Sequence, residues 1–584
     1  MRHELDVFTI RHALERSAQR HGERIAMALI GNEESSVTFA ELKKQVDAMA
    51  TYLIEAGIES QDKVALLGES QPSWGVAYLA VVSAGAVAVP ILPDFSAKEI
   101  SSILAHSGAK AIVVSSKLFE KSVPFSSDAS NLVMRMDDLF EIPKPIFPSL
   151  VSNREFQSAP GRDMLRTKSD AKRLAQRTSG EDDLVSIIYT SGTTGSSKGV
   201  MLTNRNLTSN ASACVRQFFK ITTGMRFLSI LPLSHSYEFT IGFLLPLITG
   251  CEIHYLGKTP AASILLPAMK RIRPHVMLSV PLLIEKIYRS SVVPQIAGNP
   301  RLSELYKKPL FRRFINSVIG KKLKRTFGGH LKFFGVGGAA LDKDVENFLK
   351  EAKFPYAIGY GLTETAPLLA GSGPKQTKPT TVGYAVKGIQ LRIDDPDPET
   401  KVGEIVAKGP NVMQGYYENP SLTAEVFTAD GWFKTGDLGI IERNRLSIKG
   451  RKKTMILGPS GENIYPELIE TLINNRPYVQ ESLVLSDEGG LAAMIKLDLE
   501  LMAENLKISV QDAKESAATY LVHLKEEVNK ELSSFSRIRD VSLQDEPFQR
   551  TPTMKIKRYL YQIRNRGRQE KEVPADKPKE PEGN

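Results

Sequence analysis

Short apolar runs alternate with amphipathic stretches along most of the chain. The run VALLGE at 64–69 ends in Gly and an acid. It is followed by a helical stretch over 74–84, the strand-like AVAVP, a helix over 96–106, and AIVVSS. The same alternation returns at LVSIIYTS, FLSILPL, VMLSV and LKFFGVG. Apolar runs of strand length separated by helical segments predict parallel strands joined by crossover helices, so the fold class is α/β over residues 1–449. Residues 124–179 are richer in Pro, Ser and charge and read as an irregular, partly mobile insertion. Beyond Gly450 the elements shorten. Strands near MILGP and SLVLS and a long helix over 510–532 predict a smaller mobile α+β domain over 450–565. The tail 566–584 has almost no apolar residues and is expected to be disordered. A chain of 584 residues also exceeds what one hydrophobic core organises.

One apolar stretch is long enough to cross a bilayer, since residues 71–93 carry no charge. They include Pro72, Pro90 and Pro93, which argues for a buried helix followed by a buried strand instead. Composition agrees with a soluble globular protein, at 42% hydrophobic and 24% charged residues. The two cysteines, Cys214 and Cys251, form neither a disulfide framework nor a zinc pattern, which suits a reducing, cytoplasmic setting. The start MRHELDVFTIRHALERSAQR lacks the apolar core of a secretory signal.

The net charge of +10 is unevenly placed. Lys307, Lys308, Arg312, Arg313, Lys321, Lys322, Lys324 and Arg325 lie between Leu305 and Leu331 with no acid among them. Such a segment favours an anionic partner. Its apolar residues, among them Leu310, Phe314 and Val318, recur at helical spacing. The reading is a basic amphipathic helix that either lies peripherally on a membrane surface or packs on the protein body with its charges solvated. Nucleic acid is not an expected partner.

The densest chemical signal is YTSGTTGSSKGV at 189–200, directly after an apolar strand. Gly192 and Gly195 let the backbone approach an anion closely, and successive N–H groups in such a loop cradle phosphate. Hydroxyls of Thr190, Ser191, Thr193 and Thr194 add donors, and Lys198 adds positive charge. The spacing is not that of the GTPase phosphate loop. GVGGAA at 335–340 fits the dinucleotide fingerprint G-x-G-x-x-A. That reading needs an acid about 20 residues further on for the ribose, and 355–361 supplies none.

The phosphate-loop segment resembles that of the adenylate-forming superfamily, which includes acyl-CoA synthetases, luciferases and peptide-synthetase adenylation domains. LPLSHSYE (231–238), GVGGAAL (335–341), GYGLTET (359–365), WFKTGDLG (432–439), GRKKTMILGPSGENIYPELIE (450–470) and PTMKIKR (552–558) resemble its further motifs, in the family's order. The GENIYPELIE segment and the PTMKIKR ending are similar to the long-chain fatty acyl-CoA synthetase branch.

The resemblance implies a two-step reaction. A medium- to long-chain fatty acid attacks ATP to give acyl-AMP and pyrophosphate, and the acyl group then passes to coenzyme A. An acyl carrier protein is the alternative acceptor, and a catalytically silent nucleotide-binding protein of the same fold the alternative of another class. The resemblance places Gly337, Gly338 and Ala339 against adenine, with Tyr360 beside Gly361 offering a stacking face. It places Thr363 at the α-phosphate, Glu364 on Mg²⁺, Asp437 on the ribose hydroxyls and Arg451 near the ribose and α-phosphate. Lys453 corresponds to the hinge, and Lys555 to a mobile catalytic lysine that neutralises charge as the carboxylate attacks. His235 would form a wall of the acyl pocket. Two positions depart from the pattern: Met554 stands where Gly usually precedes the lysine, and Thr454 where an acid usually follows the hinge.

Overall fold

The computed structural model describes residues 5–126, 131–143, 150, 152–191, 197–457, 463–487, 490–551 and 556–561. The chain divides into two compact units, Met1–Thr454 and Met455–Asn584. The larger unit holds two nine-stranded sheets and a four-stranded antiparallel sheet.

The first large sheet is built around the parallel strands Lys63–Leu67, Val87–Ile91 and Ala109–Val114. Every residue of Val87–Ile91 is buried, as expected of a parallel strand covered on both faces. The uncharged stretch 71–93 forms the helix Pro72–Ser83, with Pro at its first turn, and this strand. Among the described residues no helix is long and apolar enough to cross a membrane.

The insertion expected to be irregular is partly ordered into the sheet. Leu132–Arg135 pairs in parallel with Ala109–Val114, and Phe140–Glu141 and Arg162–Asp163 extend the edge. The buried guanidinium of Arg135 anchors this region by donating to the carbonyls of Phe156, Gln157 and Ala159. Strands of two to four residues between polar turns leave too short a hydrophobic pattern to be read in advance.

The second large sheet carries six consecutive parallel strands: Ile25–Leu29, Glu252–Tyr255, Arg226–Ser229, Val276–Ser279, Phe333–Val336 and Tyr356–Gly361. The segments 231–238, 337–339 and 360–365 emerge at the carboxyl ends of three of these strands. Loops gather ligands at that end of an open α/β sheet. In the four-stranded sheet, Phe433–Glu442 pairs antiparallel with Arg445–Arg451 and sets Asp437 opposite Arg451.

Buried asparagines tie these loops together. The helix Asn204–Gln217 starts with a capping box between Thr203 and Asn206. Asn206 Nδ2 also donates to the carbonyls of Pro410 and Val412 at 2.8 and 2.9 Å. One turn on, Asn210 Nδ2 donates to the Leu368 carbonyl at 2.7 Å, and its Oδ1 accepts from the Leu368 N–H at 3.2 Å. Asn411 Nδ2 donates to the Thr365 carbonyl at 2.6 Å. All three side chains are buried, so each amide satisfies backbone groups that water cannot reach.

The smaller unit packs the helix Val510–Glu531 on a three-stranded sheet formed by Val479–Asp487, Gly490–Leu497 and Ile538–Leu543. Its buried residues Ala513, Ala517, Leu521, Leu524 and Val528 recur every three or four positions. Ser509 and Asp512 close its N-terminus with a capping box.

Asn210→Ala strips the Leu368 N–H of its partner in a buried setting, at a cost of about 1–3 kcal/mol. Calorimetry is expected to show a lowered midpoint for the transition of the larger unit and an unchanged one for the smaller unit.

Candidate functional site

Two clusters of side chains occupy the carboxyl ends of the parallel strands and the edge of the four-stranded sheet. The first joins Lys198, Glu364 and Tyr416. Lys198 lies on the strand Ser197–Thr203, paired with Thr190 of Leu184–Ser191 across the phosphate-loop hairpin. Its ammonium sits 5.2 Å from the centre of the Tyr416 ring. The Tyr416 hydroxyl donates to Glu364 Oε1 at 2.9 Å. Burial lowers the Lys198 pKa and the positive charge of Lys453 lowers it further, while Glu364 opposes them. Glu364 is held by its backbone too, since its carbonyl accepts from the Met413 N–H at 2.9 Å.

The second cluster joins Tyr360, Asp437 and Arg451. Asp437 is buried. Its Oδ2 accepts from the Tyr360 hydroxyl at 2.8 Å, and its Oδ1 lies 3.0 Å from Arg451 Nε. Burial, followed by the Asp437 charge, raises the Tyr360 pKa well above its ordinary value, so the hydroxyl stays a donor. The Tyr360 side chain is itself buried and aims its hydroxyl at Asp437. Lys453 lies in the turn after Arg445–Arg451, one residue before the end of the larger unit.

Between the clusters runs the turn Thr363–Thr365. Thr363 Oγ1 accepts from Ser236 at 3.4 Å, linking this turn to the 231–238 segment. Gly361 is required sterically, because a Cβ there would lie 1.8 Å from the Pro367 carbonyl oxygen. Gly337 is buried, and a Cβ on it would press on the Tyr237 ring at 3.2 Å. Gly338 has φ +89° and, like Ala339, is exposed. The backbone of 337–339 thus presents a side-chain-poor surface beside Tyr237. Gly192, Thr193, Thr194, Gly195 and Lys555 lie outside the described residues, as does the side chain of Ser191.

An apolar cavity abuts the site. Its wall includes Phe218, Phe219, Tyr237 and Ile241, and its floor includes Gly335 and Gly359 on neighbouring parallel strands. Gly335 is two residues before Gly337, and Gly359 directly precedes Tyr360. His235, expected to wall the acyl pocket, is not among the residues lining this cavity; its Nδ1 accepts from the N–H of Tyr237, which does line it, at 3.2 Å.

Sequence reasoning missed Tyr416 and the three asparagines, and assigned Glu238 no role. Glu238 starts a π-helical turn, Glu238–Leu244, whose Ile241 lines the cavity. Its carboxyl is fully buried and occupies the space left by Gly242, where a Cβ would lie 2.6 Å from it. Oε2 has no hydrogen-bond partner among the described residues. Desolvation pushes its pKa up to about 8, so the group is a neutral acid near neutrality. An uninterrupted motif ending in Glu was the available signal, but an acid at that position reads equally well as a solvated helix start.

The profile of the AMP-binding enzyme family matches residues 14–417. The chain is 30% identical to the long-chain-fatty-acid–CoA ligase FadD15 of Mycobacterium bovis, over 91% of this chain and 92% of that protein. It is 28% identical to the long-chain-fatty-acid–[acyl-carrier-protein] ligase AEE15 of Arabidopsis thaliana, a chloroplastic protein, over 93% and 83%. In fold it resembles ATP-bound MatB from Rhodopseudomonas palustris, with a TM-score of 0.72 at 24% identity over 94% of this chain and 98% of that one.

The buried Glu238 sets a pH dependence. Its folded pKa is raised, so the folded state keeps a proton that the unfolded chain releases above its ordinary value of 4.5. Stability from this group therefore falls as pH rises from about 4.5 to about 8 and is level beyond. Glu238→Gln is expected to melt close to the parent at pH 5 and several degrees above it at pH 8, by differential scanning fluorimetry. An identical offset at both pH values would place the carboxyl in contact with water.

Proposed function

The chain belongs to the AMP-binding enzyme family, and from that premise we propose that it is an AMP-forming ligase joining a medium- to long-chain fatty acid to coenzyme A. The observation that carries the reading is the apolar cavity floored by Gly335 and Gly359, which lie two residues before Gly337 and one before Tyr360, and walled by Tyr237, whose ring faces Gly337. An acyl chain in that cavity would present its carboxylate beside Gly337 and Thr363. An acyl carrier protein is the second acceptor to consider, because the similarity to the Arabidopsis carrier-protein ligase is nearly as strong as that to the CoA ligase.

In this reading ATP binds with its ribose hydroxyls on Asp437 and its adenine along 337–339 and Tyr360. The phosphates lie along the 190–195 loop, with Lys198 and Arg451 supplying positive charge. Lys198 suits this role because burial weakens its hydration, which leaves it strongly attracted to an anion. Magnesium fits the donor set, since Mg²⁺ characteristically takes one or two protein carboxylates plus phosphate oxygens, and Glu364 has a second oxygen beyond the one bonded to Tyr416. Bound there, the ion would screen the repulsion between carboxylate and phosphates.

The fatty acid carboxylate oxygen attacks the α-phosphorus, the bond to pyrophosphate breaks, and acyl-AMP forms. Thr363 orients the α-phosphate, and Lys555 neutralises the charge developing there. The thiolate then attacks the acyl carbonyl and AMP departs. No enzyme-bound covalent intermediate is needed, so positioning and charge carry the catalysis. Between the steps the segment after Lys453 turns and withdraws Lys555. The proposed setting is the cytoplasm, with the chain peripheral at a membrane, in keeping with two unpaired, buried cysteines.

The reading is tested by ATP–pyrophosphate exchange across a panel of saturated, aryl and amino acids, followed by thioester trapping with coenzyme A or carrier protein. Exchange is expected with medium and long saturated acids and coenzyme A as the better acceptor. Silence across all acids would leave a nucleotide-binding protein without turnover.

Lys555→Ala is expected to lower adenylate formation by more than about a hundredfold, the scale of losing a transition-state charge partner. It should leave thioester formation from supplied acyl-AMP near the parent rate. Equal loss of both half-reactions would refute two separate poses.

A further inference from the structure

The basic segment forms the helix Pro309–Thr326, and the helix has two unlike faces. Its inner face buries Asn316, Gly320 and Leu323. Gly320 is pressed so closely onto the next helix that a Cβ would lie 2.1 Å from the Ala352 carbonyl oxygen. Glu351 fastens the same side, at 2.8 Å from Arg312 Nη2 and 2.8 Å from Asn316 Nδ2.

The outer face carries large apolar side chains in water. Leu310 is 79% exposed, Phe311 48%, Phe314 69% and Val318 52%. At 3.6 residues per turn these four share an arc of about 120° with Lys321, Lys322 and Arg325, all three exposed. Along the helix axis the apolar residues of that arc occupy 310–318 and the cationic ones follow at 321–325. Lys307 pairs with Glu304, and Arg312 and Arg313 share Glu351. Among the described residues no carboxylate pairs with Lys308, Lys321, Lys322, Lys324 or Arg325.

We propose that this outer face docks the chain on an anionic lipid bilayer. Leu310, Phe311, Phe314 and Val318 enter the boundary between headgroups and acyl chains, and Lys321, Lys322 and Arg325 meet the lipid phosphates. A bilayer surface offers anionic charge directly above hydrocarbon, which matches both halves of the arc. A second copy of the chain fits less well, because a twofold contact would set these cations either on one another or on the partner's apolar residues, and the outer face holds no carboxylate to meet them. The inference deepens the acyl-activation reading by placing the enzyme where fatty acids partition, but docking itself is measured without turnover.

The test is co-sedimentation of the full chain with phosphatidylcholine vesicles, with and without phosphatidylglycerol, across a salt series. Binding is expected to the phosphatidylglycerol vesicles alone, weakening as salt rises. The double variant Leu310→Ser/Phe314→Ser and the triple variant Lys321→Gln/Lys322→Gln/Arg325→Gln are each expected to weaken it by at least about tenfold. Both should keep the parent melting temperature and the parent exchange rate on detergent-dispersed acid. Absence of parent binding at low salt, or equal binding by parent and variants, overturns the proposal. So does a change of mass in light scattering on Leu310→Ser/Phe314→Ser, which would assign the face to a second copy. Loss of carrier-protein affinity in the triple variant without loss of vesicle binding overturns it as well. If exchange fails with every acid while vesicle binding behaves as expected, the acyl-activation reading falls and the docking surface stands.

Discussion

The site depends on buried amide groups more than on any charged residue. Asn206, Asn210 and Asn411 bind backbone at 365, 368, 410 and 412, where the turn Thr363–Thr365 and the 410–412 segment lie outside the strands and Leu368 begins one. An asparagine offers a donor and an acceptor in one plane, so Asn210 satisfies both polar groups of Leu368 at once. Because the helix Asn204–Gln217 is rigid, the turn Thr363–Thr365 inherits its position from that helix. Glu364 then reaches Tyr416 without a flexible tether.

The charged groups are arranged with their partners already in place. Asp437 is bound on one oxygen by Tyr360 and approached on the other by Arg451. Lys198 lies against an aromatic ring whose hydroxyl leads to Glu364. Such preorganisation limits the rearrangement needed when an anionic ligand arrives, and in a partly buried setting each charge acts more strongly than it would in water.

Much of this arrangement was legible in the sequence where the information is local. Strands such as Val87–Ile91 announce themselves by uninterrupted burial, and the loop motifs follow directly from strand ends. Tyr416 was not legible, because its partner Glu364 is 52 residues away and a lone tyrosine carries no pattern. Asn210 meets Leu368 across 158 positions, and asparagine in a helix ordinarily points to solvent. The basic helix was readable as a helix, but its two apolar faces were not separable. What selects the inner face is Gly320, whose missing side chain permits contact with Ala352. The short edge strands at 132–135, 140–141 and 162–163 escaped notice because they depend on the neighbouring sheet for their pairing.

The π-turn at Glu238 also adds proton uptake to the folding reaction. At neutral pH the carboxyl is ionised in the unfolded chain and protonated in the folded one, so each molecule draws a proton from the buffer as this region packs. The heat of refolding then includes the buffer's own enthalpy of deprotonation. A buffer with a large ionisation enthalpy and one with nearly none report different calorimetric values for the same structural event.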